Sequence, residues 1–342
     1  YRRGQSHLVD VSFTYVRDEF LSKKNVLTSQ ILDLLSEILF SPLTDDEGFE
    51  KNTFEIEKKQ VLTRLESEFE DPFFFAHKEL DHLYFEDPSM QLVPEDLITR
   101  ISEESPNMSF TSFQKMLKED RIDIFFLGDF NEIEFLEYIK QPPFTARQRT
   151  VNIQYQQPYS NVIKENFARK SLGQSIIEMG YHFSVGYGDE QQMAMIVVNG
   201  LLGAFPHSKL FSVIREKEAL AYTISSHIDF FSGCLRLYAG IDRSNRNRVR
   251  KLMNQQLHDI KNGKFTDIEI NQTKKMIKRS LMLAQDNQDS IIDRTYLRHY
   301  FGKIALDIPT MLEKLELVEK NEICEAASNL KLQAIYFMEG VE

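Results

Sequence analysis

Helical spacing is clearest at Leu27–Phe40, where Ile31, Leu34, Leu35 and Ile38 share one face. Residues 7–16 alternate apolar and polar side chains and predict a strand. Residues 41–48 form a loop by their Pro, Asp and Gly content, and a long helix over about 54–69 follows. After Asp71-Pro72 a further helix carries residues 76–85, and a buried strand is predicted at 122–127, closed by Gly128-Asp129. Polar, Gln-rich residues 141–159, opening on Gln141-Pro142-Pro143, read as a linker. Beyond them, residues 175–185 predict a strand and 191–202 an apolar helix. Residues 220–228 and 234–241 predict neighbouring strands around Ser232-Gly233. Helices near 247–260, 267–284 and 290–301 and a last strand at 333–338 complete the pattern.

The pattern repeats. Adding 216 to each residue number lays 54–85 on 270–301 without a gap, matching Lys58-Lys59 to Lys274-Lys275, Leu65 to Leu281 and Tyr84-Phe85 to Tyr300-Phe301. A duplicated domain is therefore expected: 1–140 as a first domain, 141–159 as the linker and 160–342 as a second. The same shift puts the counterpart of the second domain's start about 54 residues before Tyr1, and the first methionine is Met90. The first domain is thus expected to lack its N-terminal part in this chain.

At 342 residues the chain is long enough for two cores. Apolar residues at 42% and charged residues at 27% are ordinary for a globular protein. A net charge of −11 argues against nucleic acid as partner. No apolar run reaches the roughly 20 residues that cross a bilayer, so no membrane partner is expected. Cys234 and Cys324 lie in unrelated contexts and suggest neither a disulfide framework nor a zinc ribbon, which points to the reducing cytoplasm.

The richest local signal is residues 208–222, Ser-Lys-Leu-Phe-Ser-Val-Ile-Arg-Glu-Lys-Glu-Ala-Leu-Ala-Tyr. It resembles the L-F-x-x-x-R-x-x-x-x-L-x-Y element in the second domain of the pitrilysin/insulinase zinc peptidases. Residues 54–65, Phe-Glu-Ile-Glu-Lys-Lys-Gln-Val-Leu-Thr-Arg-Leu, followed by Asp71-Pro72, resemble that family's F-E-x-E-K-x-x-V-L-E-E-I helix. The resemblance implies an α+β fold of two homologous domains, each a mainly antiparallel sheet with helices packed on one face. It also implies that Arg215 holds substrate backbone and Tyr222 donates to a developing oxyanion, a large term in acyl-group hydrolysis. By itself an R-x6-Y spacing reads as a helix-terminal arginine and a strand-filling tyrosine.

In active members the third zinc ligand stands where this chain has Arg64, while Glu57 matches an earlier acidic position. A guanidinium donates hydrogen bonds and carries positive charge, so it does not replace a carboxylate on Zn²⁺. Taken without the resemblance, Arg64 and Glu68 form an i,i+4 surface pair. No H-x-x-E-H occurs in the chain, and the zinc helix of an active member would lie upstream of it. His77 and His82, five residues apart on a helix, point in different directions and read as surface histidines.

The resemblance is greatest to bacterial non-peptidase homologues that work beside an active, zinc-bearing one. It implies an inactive subunit without a cofactor of its own, with zinc on the partner of a heterodimer; a homodimer is the other assembly considered. Two alternatives are an active zinc endopeptidase with its metal helix upstream, and a structural or peptide-binding scaffold.

Overall fold

The computed structural model describes residues 1–21, 27–91, 94–140, 147 and 149–341. The fold is α+β, as the resemblance implied. The chain forms two compact units: Tyr1 with His7–Ser67 and Glu95–Val151, and Arg2–Ser6 with Glu68–Pro94 and Asn152–Glu342. Residues 141–146 and 148, which include the Pro-Pro of the expected linker, lie outside the described residues.

The first unit is built on helices α1 (Leu27–Phe40), α2 (Lys51–Glu70, whose last residues join the other unit), α4 (Pro94–Glu103), α5 (Pro106–Glu119) and α6 (Glu132–Ile139). Its strands among the described residues are two-residue segments, such as Thr44–Asp45 paired with Gly48–Phe49. Gly48 has φ 132° and lies where a Cβ would meet Pro106 O at 2.8 Å, so only glycine allows this close approach. Phe49 then packs edge-on against Phe110 of α5 at 5.2 Å. Two predicted strands did not form. Residues 8–17 have no regular structure, and neither do 122–127, whose Phe126 instead packs on Phe130 and Phe135. Alternation supplies a strand's two faces, but a strand exists only through neighbours that accept its hydrogen bonds.

The second unit is organised on one sheet. Its strands are β1 (Lys164–Ser171), β2 (Ser175–His182), β3 (Ala221–Asp229), β4 (Cys234–Ile241) and β5 (Lys331–Val341), in the spatial order β1-β5-β2-β4-β3. Only β1 and β5 run parallel; the other neighbours are antiparallel, as expected. The β3–β4 hairpin closes on Gly233 at φ 66°, the left-handed conformation its turn requires.

One face of the sheet packs against α7 (Gln192–Asn199), α8 (Arg246–Lys261), α9 (Asp267–Asp286) and α12 (Lys320–Ser328), through Ile177, Met179, Leu235, Leu237 and Phe337. The other face is not bare. Helix α3 (Pro72–Tyr84) lies on it through Phe75, Ala76, Leu80 and Tyr84, against Ile176, Ala334, Tyr336 and Met338. Helices thus lie against both faces of this sheet. Gly180 makes this fit possible, because a Cβ there would stand 3.0 Å from the Tyr84 ring. The chain before β1 is also anchored: Tyr155 donates its amide to Phe231 O, and buried Gln157 accepts the Glu86 amide at 3.0 Å.

The internal repeat is geometric. Adding 216 to the bounds of α2 gives those of α9, and α3 falls in the same way on α10 (Gln288–Phe301). Asp71 caps α3 by accepting the Phe74 amide at 2.8 Å; Asn287, its counterpart, caps α10 by accepting that of Ser290 at 2.8 Å. Lys58 donates to the carbonyls of Ser102 and Glu104 at the end of α4. Its counterpart Lys274 donates to Glu316 O near the end of α11 (Ile308–Leu317).

Candidate functional site

Arg215 and Tyr222 are both in the second unit, on one continuous piece of chain. Helix α7 passes into a π-helical turn, Gly200–Ala204, and a second π-helical segment, Phe211–Lys217, carries Arg215. Such widened turns concentrate at functional sites. Leu210 and Ile214 are fully buried and fix the segment, which leaves Arg215 exposed. The Arg215 guanidinium stacks on its neighbour Phe211 at 4.7 Å, an arrangement that restrains a long side chain while keeping its charge available.

The chain leaves this segment through Ala219, the one non-glycine among the described residues with positive φ, at 51°. Leu220 donates to Ile214 O at 2.9 Å, and β3 begins. The β3–β4 register slips between Ala221 and Thr223, so Tyr222 is the extra residue of a bulge. A bulge turns a side chain out of the strand's alternation. Tyr222 is 68% exposed, unusual for a tyrosine beside a sheet. It does not fill the strand.

A set of polar contacts supports the element. Lys209 pairs with Glu269 of α9 at 3.0 Å, and His207 meets the Thr273 hydroxyl at 2.9 Å. Burial pulls the His207 imidazole below its usual range, with the Glu269 charge opposing. Ser226 of β3 donates to the Asn199 side chain at 2.6 Å, and Ser225 donates to Gly203 O at 3.2 Å. Gly203 lies so close to β3 that a Cβ would stand 2.8 Å from the Ser226 nitrogen. Sequence reasoning missed these supports. Their signal was the Gly200-x-x-Gly203 spacing before Phe205-Pro206-His207-Ser208, where glycine spacing marks a close approach.

Arg64 and Glu57 lie on α2 within the first unit, both exposed and two turns apart. The resemblance places a zinc ligand at Arg64, and the residues there do not fit the ion: a cationic donor group stands where an anionic electron donor is needed. Among the described residues, no three His, Cys, Asp or Glu side chains gather as a metal site would require. No helix among them is long and apolar enough to cross a membrane.

His82 is exposed, as expected of a surface histidine, but His77 is not. Its Nδ1 meets Oε1 of Glu178, a carboxylate with no exposed surface, and its ring packs edge-on to Tyr238 at 5.1 Å. The helical pattern of α3 showed which face His77 is on; it did not show that a charged sheet residue lies beneath.

Residues 111–277 match the family described as "Peptidase M16 inactive domain". The whole chain aligns with the probable inactive metalloprotease YmfF of Bacillus subtilis, at 25% identity and over 80% of that protein's length. The crystal structure of a conserved protein from Enterococcus faecalis V583 superposes with a TM-score of 0.91 at 39% identity, over 95% of this chain and 77% of that one. A protease from Helicobacter pylori shares the fold at 13% identity, with a TM-score of 0.73 over 92% of this chain and 77% of that one.

Proposed function

The chain belongs to the M16 peptidase family, and on that premise we propose that it is a catalytically inactive, cytoplasmic subunit that binds peptide and complements an active, zinc-bearing partner in a heterodimer. Arg215 would hold the peptide backbone and Tyr222 would donate its phenol hydrogen to the oxyanion developing on the scissile carbonyl, while zinc held by the partner would supply the hydrolytic chemistry. The observation that carries this reading is the bulge: it lifts Tyr222 out of β3 immediately after the segment that displays Arg215. Arg64 supports the inactive half of the proposal, since no zinc step is assigned to a site with a guanidinium in a ligand's place.

The two sheet edges support the peptide half. Strand β1 carries Lys164, Glu165, Arg169 and Lys170, the charges with which proteins discourage unwanted pairing. Strand β3 ends the sheet on the other side and has no Lys, Arg, Asp or Glu from Ala221 to Ile228. Its outer backbone groups match an extended peptide, which gains main-chain hydrogen bonds by lying along such an edge.

The test is peptide hydrolysis by the reconstituted pair of this chain and an active zinc-bearing homologue. Tyr222→Phe and Arg215→Ala are each expected to lower kcat/KM by about 10- to 1000-fold, the range for losing one oxyanion or backbone contact. Unchanged hydrolysis with both variants would defeat the reading. The chain alone is expected to retain no stoichiometric zinc after dialysis.

A further inference from the structure

The contact between α3 and the sheet holds a charged cluster that the Arg215–Tyr222 element does not use. Glu178 stands in the middle of β2 with no exposed surface, on the face covered by α3. His77 of α3 meets its Oε1, and the Arg236 Nε of β4 lies 3.7 Å from its Oε2. The other arm of Arg236 pairs with Asp81, one turn further along α3. Two side chains of one helix thus bind two side chains of neighbouring strands. Around them are Phe75, Leu80, Tyr84 and Ile176, an apolar setting in which unbalanced charge is heavily penalised.

The charges do not balance without a proton. Arg236 and Asp81 cancel, which leaves the Glu178 carboxylate facing His77. With His77 neutral, the cluster buries one net negative charge; with one proton added to the pair, it is neutral. We propose that His77 and Glu178 share one proton and that the cluster is a pH-sensitive clamp, docking α3 on the sheet while the proton is bound and loosening it as the proton leaves. Either group can be drawn as the carrier, because the two titrate as a pair.

The remaining titratable neighbours do not imitate this behaviour. Burial drives Glu178 above the usual carboxylate range, against the His77 bond and the Arg236 charge. A carboxyl raised in the folded state contributes stability that is complete below its ordinary value of about 4.3 and is lost as pH rises through the raised value. Lys78, on α3, is lowered by burial and has the opposite sign. His227, across from Arg236 on β3, is lowered by burial and the Arg236 charge, which again has the opposite sign. The Cys234 thiol is pushed up to about 12 by burial. Asp229, Arg2, Tyr238 and Tyr336 also face the cluster.

Hydrogen exchange of α3 amides in the intact chain, corrected for intrinsic rate between pH 5 and 9, tests the clamp. Loss of one proton raises the opening equilibrium by up to tenfold per pH unit. Glu178→Gln keeps a partner for His77 and removes the titrating carboxyl, so its opening is expected to change less than twofold over the same range. A flat profile in the unmodified chain, or an equal slope in the variant, overturns the proposal. If the variant does not fold, ¹⁵N NMR of His77 and ¹³C NMR of Glu178 in the unmodified chain decide: one shared titration supports the clamp, and two independent ones refute it. Neither readout involves peptide or a partner, so the clamp stands or fails apart from the proposed function.

Discussion

Ala219 lies between the two residues proposed to touch peptide, and its φ of 51° places an L side chain where glycine is at ease. Removing the Cβ relieves about 1–2 kcal/mol of strain and costs about 0.5–1 kcal/mol in unfolded-chain entropy. Ala219→Gly is therefore expected to raise stability by up to about 1 kcal/mol, read as a higher urea midpoint with unchanged slope. Gly203 presents the reverse case. A Cβ there meets Ser226 backbone nitrogen at 2.8 Å and Ser226 Oγ at 2.7 Å, and backbone cannot swing aside as a side-chain tip can. Gly203→Ala should lower stability by about 1–3 kcal/mol in the same titration, the usual cost of overpacking. The two cysteines differ in a way that alkylation can read. Cys234 is buried with its thiol raised to about 12, whereas Cys324 is partly exposed. At pH 8 the folded chain should incorporate iodoacetamide at Cys324 and spare Cys234, since only the accessible thiolate reacts; equal labelling by mass spectrometry would contradict this.

Single elements were legible where their own residues determine them. The apolar stripe of α1 predicted its bounds, and Ser232-Gly233 announced the β3–β4 hairpin because its turn requires a left-handed glycine. The 216-residue shift paired α2 with α9 and α3 with α10 because capping and helix length are local properties. Elements that depend on distant partners were not legible. Strand β1 reads Lys-Glu-Asn-Phe-Ala-Arg-Lys-Ser, a charged run that is a strand only because β5, far along the chain, lies beside it. Residues 122–127 fail in the opposite sense: apolar enough for a strand, without paired neighbours among the described residues. The site divides in the same way. Arg215 and Tyr222 were found from their motif, but the bulge that exposes Tyr222 depends on register with β4. At this scale the repeated lysine is open to test. Lys274 ties α9 to the carbonyl end of α11, where a cation also meets the negative end of the helix dipole. The site is exposed and screened by solvent, so Lys274→Met should cost only about 0.5–1 kcal/mol, measured as a urea midpoint shift that shrinks in high salt.

The two units differ in how much apolar surface they remove from water. Both large buried clusters consist of residues of the second unit, from Phe75 to Met338 in one and from Ile177 to Phe337 in the other. In the first unit the buried apolar side chains among the described residues are Leu32 and Phe135, and α2 has none over its twenty residues. Since buried apolar area is the main favourable term in folding, at roughly 25 cal/mol per Å², the first unit holds together less strongly than the second. A chain built this way should not unfold in one step. Urea denaturation followed by hydrogen exchange is expected to show residues 27–67 and 95–139 opening at lower denaturant than the sheet. Leu237→Ala removes a wholly buried side chain from the larger cluster and should lower the later transition by about 2–5 kcal/mol while the earlier one stays in place. A single transition in which both regions open together, and which shifts as a whole in Leu237→Ala, would mean that the units fold as one cooperative body despite their unequal cores.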